Sequence, residues 1–253
     1  MSCKVLLAPT KSTHLSPKRF QIISTPYFLA EANFLVEQLK LKEPHDLAKL
    51  MKISGEIATL TYQRFQKWKI IHGELSFHAI QMYAGEAFKA FDLDSLDVKL
   101  YPNLQDSLLI FSGLYGILRP FDLVYPYRLE MGLTYSPSDV NRNLYSFWQD
   151  KIQDYFKVNV CKSDLIINLA SIEYSKVLDF KKLSSRSITP IFKEYKNGEL
   201  KMVMMHAKNA RGKMARFILE NDIKSDEELK NFQQDGYTFD QRRSTSSEWV
   251  FMR

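Results

Sequence analysis

Apolar residues along this chain come in two rhythms, short unbroken runs and helical spacings, and each rhythm predicts an element. Lys4 to Ala8 reads as a short buried strand, followed by a polar loop from Pro9 to Ser16. Thr25-Pro26 marks a helix start, because the fixed φ of proline suits the first helical turn. Phe28, Ala32, Leu35 and Leu39 then recur at helical spacing, and Pro44 ends the segment. Asp46 can cap a second helix carrying Leu47, Leu50 and Met51. After Ser54-Gly55, a third follows with Ile57, Leu60, Arg64, Phe65 and Trp68. This 46–68 pair fits either a helix–hairpin–helix, which offers backbone amides to phosphates, or an ordinary helical corner.

Further on, Leu108–Phe111 and Leu165–Leu169 are apolar runs of strand length. Ile188 to Tyr195, then Lys196-Asn197-Gly198, then Leu200 to Met205 predicts a β-hairpin over 188–206, since Asn-Gly accepts positive φ at both turn positions. Lys208 to Glu220 is helical in pattern, and Ser225 with Glu228 forms a capping box for one more helix. No repeat and no linker interrupts the chain. The predicted class is α/β, in the broader sense of mixed α+β, as one domain over 1–253.

Composition narrows the setting. With 45% hydrophobic and 25% charged residues in 253, the chain can bury a full core. The two cysteines, Cys3 and Cys161, stand far apart and outside any CxxC, so a reducing cytoplasm is expected. The first 25 residues carry no signal-peptide core, and no 18-residue apolar run occurs, so a soluble protein is expected, with no membrane partner. A net charge of +6 is compatible with a polyanionic partner.

Cofactor and metal chemistry find no purchase. His14, His45, His72, His78 and His206 include no HxxxH pair, and neither GxGxxG nor GxxxxGK[ST] occurs. The segment 208–218 is more informative. With Lys208 at zero on a helical wheel, Arg211 falls at about −60°, Arg216 at about 80° and Lys213 at about 140°. Ala210, Met214, Phe217 and Ile218 occupy the arc from about 180° to 280°. No acidic residue appears before Glu220, so these cations form either a phosphate surface or a solvated face. A second dense region, 112–132, holds Ser112, Tyr115, Arg119, Tyr125, Tyr127, Arg128 and Glu130. Arginines and tyrosines together can grip phosphates and bases, or Arg119 and Arg128 can pin a turn to Asp122 or Glu130. A third, Asn168 to Tyr174, follows an apolar strand, where ligands of α/β folds lie.

These segments carry a resemblance. SGLYGILRPFDLVYPYRLEMG (112–132), LYSFW (144–148), INLASIEY (167–174), KNARGKMARFILEN (208–221), GYTFD (236–240) and the closing Phe251-Met252-Arg253 resemble the peroxide stress protein YaaA family. The resemblance implies a bacterial cytoplasmic protein with a bowl-shaped mixed sheet wrapped by helices and a positively charged cleft. It also implies DNA binding, in part through a helix–hairpin–helix, and peroxide tolerance linked to low unincorporated iron. The family's usual N-terminal SPAK stands here as Ala8-Pro9-Thr10-Lys11, so the first hydroxyl is missing while Lys11 persists. The usual basic residue before the last arginine is Met252.

Two functions compete. The first is DNA binding without sequence preference, limiting iron-dependent damage under peroxide stress, through Lys208, Arg211, Lys213, Arg216, Arg119 and Arg128. The second is a cofactor-independent enzyme acting on a nucleotide, nucleobase or nucleic acid. There Lys11 is a nucleophile or phosphate ligand and Glu173 a general acid or base, with Ser112 beside them. Tyr115, Tyr127, Asn168 and Ser171 would contact substrate. Direct iron storage is disfavoured, because carboxylates alone hold iron(II) weakly. A continuous, duplex-wide groove lined by 11, 112–128, 171–173 and 208–216 would favour binding, and a closed pocket away from the basic helix would favour catalysis.

Overall fold

Valine, leucine and isoleucine runs buried on both faces are what parallel strands require, and three such runs build the centre of this fold. The structure is a computed structural model and describes residues 2–15, 20–69 and 76–253. The first half contains β1 (Cys3–Leu7), α1 (Leu29–Lys40), α2 (Pro44–Met51), α3 (Gly55–Gln66), β2 (Phe77–His78), α4 (Ala79–Met82), α5 (Glu86–Phe91), α6 (Tyr101–Ser107), β3 (Leu108–Ser112), β4 (Gly116–Leu118) and β5 (Leu123–Val124). The second half contains α7 (Leu144–Asn159), β6 (Leu165–Asn168), α8 (Ile172–Ser175), β7 (Arg186–Lys196), β8 (Glu199–Lys201), α9 (Met204–Glu220), α10 (Asp226–Leu229), β9 (Thr238–Asp240) and β10 (Glu248–Met252).

The described strands form one mixed sheet in the order β4-β3-β1-β6-β7-β10-β9, with β8 paired to β7. Its middle is parallel. Val5 sits opposite Leu108 of β3 on one side and Ile167 of β6 on the other. β6 runs parallel to β7, and β7 to β10. β4 and β9 close the two edges antiparallel. A separate two-stranded ribbon pairs β2 with β5. Leu6, Leu35, Phe111, Trp148, Ile166 and Phe251 belong to one continuous core that reaches from β1 to β10. The mixed α/β class read from the sequence is therefore the observed one.

Two boundaries differ from the expected ones. The helix expected at Thr25-Pro26 begins at Leu29, because Pro26 starts a turn in which the Leu29 amide donates to the Pro26 carbonyl. The hairpin turns at Asn197 (φ 54°) and Gly198 (φ 80°) as expected, but its second strand ends at Lys201. Met204, Met205 and Ala207 are strong helix formers, and α9 takes them instead of β8. The 46–68 pair exists as α2 and α3, joined through Lys52 in the left-handed region and capped by Ser54, which accepts from the Ile57 amide. Ser225 and Glu228 form the expected capping box of α10.

Candidate functional site: a cationic cavity at the strand ends

β1 has parallel neighbours on both sides, and the two connections around it diverge. The chain leaving β1 returns at β3, whereas the chain leaving β6 moves away to β7. Divergent connections open a crevice beyond the carboxyl ends of the strands, the usual ligand position in such sheets. A cavity of about 790 Å³ lies there. Its floor is the segment from Leu7 to Ser12 that follows β1, and Leu169 to Tyr174, which follows β6, forms one wall. Tyr127 to Glu130, Tyr83 to Lys89, and the start of α9 complete it.

Close backbone approaches hold these walls. A Cβ on Gly113 would fall 2.2 Å from the Leu129 carbonyl oxygen, so only glycine lets the 127–130 strap lie against the turn after β3. Opposite, the His14 amide donates to Met82 and the Ala84 amide to Ser12, which ties the floor loop to the Tyr83 segment.

Five cations line the cavity, Lys11, Lys89, Arg128, Lys208 and Arg211, against three carboxylates, Glu86, Glu130 and Glu173. Three of the cations are paired. Arg128 donates from Nε (3.1 Å) and Nη2 (3.0 Å) to Glu130 Oε1, and Lys11 approaches the same oxygen at 3.5 Å. Lys89 pairs with Glu86 at 3.3 Å. Lys208 and Arg211 have no carboxylate within ion-pair distance among the described residues, and Arg211 Nε is buried without a hydrogen-bond partner. Burial lowers the pKa of that guanidinium. Glu130 Oε2 is likewise buried without a partner. Glu173 accepts from the Gly132 amide at 3.2 Å.

Hydroxyls run inward from the cavity. Ser112 accepts from the amides of Leu114 (3.2 Å) and Tyr115 (2.8 Å), so its own proton goes to Tyr127, 2.6 Å away. The Tyr127 and Tyr83 hydroxyls share a hydrogen bond of 2.7 Å. Burial pushes the Tyr127 phenol up to about 12 and that of Tyr83 well above its ordinary range. Both stay neutral near pH 7 as hydrogen-bonding walls.

Of the expected site residues, Lys11, Tyr127, Arg128, Ser171, Glu173, Lys208 and Arg211 share this cavity. Ser112, Tyr115 and Asn168 lie behind its wall. Tyr115 accepts from the Tyr125 amide, and Asn168 bridges Ala170 and Thr189, so these side chains shape the strand ends without lining the cavity. Arg119 stands elsewhere, pinned to the buried Asp122 by its side chain (3.2 Å) and its amide (2.8 Å).

The expectation of one cationic helix face free of acids is corrected for Lys213 and Arg216. Lys213 pairs with Asp235 at 2.5 Å. Arg216 binds Glu220 at 2.7 Å and donates to the carbonyls of Phe91, Asp92 and Ser95 at the end of α5. The cause is Gly212, which falls on the wheel between Lys208 and Arg216 and so within the cationic arc. An added Cβ there would meet the Ala87 carbonyl oxygen at 1.9 Å, which shows α5 seated on that arc. It divides Lys208 and Arg211 from Lys213 and Arg216.

Tyr83, Lys89, Met202 and Met204 also line the cavity and were not anticipated. Tyr83-Ala84-Gly85 sits between two helices too short to show a period, and Gly85 was its one available signal. Ala8 also faces the cavity. No group of three or more His, Cys, Asp or Glu side chains suited to a metal occurs among the described residues, and His72 lies outside them. No helix among them is long and apolar enough to cross a membrane.

Sheet and cavity together define a mixed α/β protein with a cationic, tyrosine-walled cavity at a topological switch point. The chain belongs to the peroxide stress protein YaaA family, which it matches over residues 3–243. It is 40% identical over 252 residues to a UPF0246 protein of Neisseria meningitidis serogroup B, covering 98% of this chain and 97% of that one. A UPF0246 protein of Marinomonas sp. is 41% identical over 252 residues, with 99% and 96% covered. A UPF0246 protein of Flavobacterium johnsoniae is 38% identical, with 99% and 100% covered. Family membership assigns the protein a role in peroxide stress.

Proposed function

We propose that the protein serves the peroxide stress response by binding a nucleotide, free or as a unit of nucleic acid, in the cavity at the ends of β1 and β6. The observation that carries this reading is the cavity's excess of cations over carboxylates beside walls of Tyr83, Tyr127 and Tyr174. Phosphate meets the first and a base plane meets the second. The volume falls within the range of about 300–1,000 Å³ common to small-ligand sites. Glu173 at the wall can exchange a proton with a bound base. The free thiols Cys3 and Cys161 suit action in a reducing cytoplasm. Calorimetric titration with purine and pyrimidine nucleotides tests the reading, and Glu173→Gln then separates binding from turnover. Absence of heat with every nucleotide, nucleoside and oligonucleotide refutes it.

Duplex binding that limits iron-dependent damage is a second reading, favoured by a different surface. Lys49, Lys52 and Lys67 of the α2–α3 pair are exposed and make no ion pair among the described residues, and Ile57 and Leu60 stand exposed beside them. A duplex held there loses affinity at about 0.9 log unit per contacted phosphate for each log unit of salt. Lys49→Ala with Lys52→Ala should flatten that slope, and an unchanged slope rejects this surface.

A further inference from the structure

Every cation around the cavity except two already has a carboxylate, and those two are on one helix. Lys208 and Arg211 stand three residues apart on α9, so both project from the same side into the same space. Arg211 is partly buried, its Nε reaches no acceptor, and it makes no ion pair among the described residues. A guanidinium taken from water without a counter-charge is costly, and native structures keep such groups where an anion arrives. The helix cannot swing away to relieve that cost. Gly212 fixes α9 against the Ala87 backbone, and Arg216 clamps the end of α5. Lys11 and Arg128, by contrast, share Glu130, so each already has an anionic partner before any ligand binds.

We infer that Lys208 and Arg211 form the phosphate subsite of the cavity and that its ligand is a nucleoside monophosphate, with the base directed toward the tyrosines and Glu130. This inference rests on the nucleotide reading above. The guanidinium fork matches two phosphate oxygens, and the lysine adds a point charge on a flexible stem. At the other end Lys11 and Arg128 are held by Glu130, whose unpartnered Oε2 can accept an N–H or O–H that the ligand brings.

The test is calorimetry on the full chain at low ionic strength with guanosine and adenosine 5′-monophosphates, the two nucleosides, and inorganic phosphate. A monophosphate should bind about tenfold or more tighter than its nucleoside, the worth of one or two charge-assisted hydrogen bonds. Arg211→Gln and Lys208→Gln should erase that ratio and leave nucleoside affinity unchanged, while Arg211→Lys restores part of it. Thermal unfolding of each variant confirms that it is folded. Equal affinity for nucleoside and monophosphate overturns the subsite but keeps the nucleotide reading. The subsite is equally overturned if Lys11→Gln or Arg128→Gln, and not Arg211→Gln, removes the phosphate increment. Inorganic phosphate that binds through Arg211 while nucleotides gain nothing over it keeps the subsite and rejects the nucleotide. No binding by any probe overturns both.

Discussion

Gly212→Ala is the sharpest probe of how α9 is held, because two effects of opposite sign meet there. Alanine in an unobstructed helix interior is favoured over glycine by about 1 kcal/mol. At about 2–4 °C per kcal/mol for a chain of this size, propensity alone would raise the melting temperature by that amount. The structure predicts the reverse. The new Cβ would lie 1.9 Å from the Ala87 carbonyl oxygen, whereas ordinary contact begins at 3.4 Å, so α5 and α9 must move apart to admit it. The obstacle is backbone and has no rotamer by which to yield. Overpacking costs about 1–3 kcal/mol where side chains can adjust, and more where they cannot. Taking about 3 kcal/mol or more here, less the propensity gain of about 1, leaves a loss of about 2 kcal/mol. That corresponds to a fall of about 4–8 °C in differential scanning calorimetry. A melting temperature equal to or above that of the unmodified protein would refute the close packing, and with it the explanation of why the helix's cations divide.

Further outcomes follow from other groups. Arg216→Ala removes donors from three carbonyls at the end of α5 and should cost about 2–4 kcal/mol. Arg211→Met removes a charge with no partner, so urea denaturation should show it unchanged or more stable; an equal loss in both variants contradicts the division of roles. Burial raises the Asp122 carboxyl above its ordinary value of 3.8 despite its bonds to Arg119 and Ser24. The folded state therefore keeps that proton to a higher pH than the unfolded chain, and in the interval between the two pKa values it binds more protons. The stability of wild type relative to Asp122→Asn should then be constant below 3.8 and fall as pH rises through the raised value. A difference that grows with pH instead counts against this burial effect. The Cys3 thiol is buried and pushed up to about 12, whereas Cys161 is exposed. Iodoacetamide at about pH 8 should label Cys161 alone until the protein is unfolded, and mass spectrometry showing equal labelling of Cys3 would contradict its burial.

The sequence revealed most about the elements whose cause is local. Buried runs became β1, β3 and β6, Asn197-Gly198 became the turn, and Ser225 with Glu228 became a cap, because each depends on residues within one turn or strand. Its candidate segments supply much of the cavity lining, but only some of the candidate side chains reach the cavity. Ser112, Tyr115 and Asn168 have the chemistry of ligand contacts, yet unpaired amides at the strand ends claim them first. A helical wheel places charges around an axis and says nothing of what covers the arc. Gly212 was visible inside the cationic pattern, but its partner, the Ala87 carbonyl, comes from a six-residue helix without a legible period. Asp235, which neutralises Lys213, lies 22 residues away, beyond any local pairing rule.

The central position of β1 also bears on how the molecule forms. Its partners are remote: Val5 must find Leu108, and Cys3 must find Leu165, before either side of the strand is covered. Closing loops of such length is entropically expensive early and rewarded only when the parallel ladder zips, which makes for slow, high-contact-order assembly. The cavity floor is the loop leaving β1, so no partially assembled chain has a complete pocket. Recovery of ligand affinity after dilution from denaturant should therefore track the final refolding phase, and intermediates rich in helix should remain blind to it.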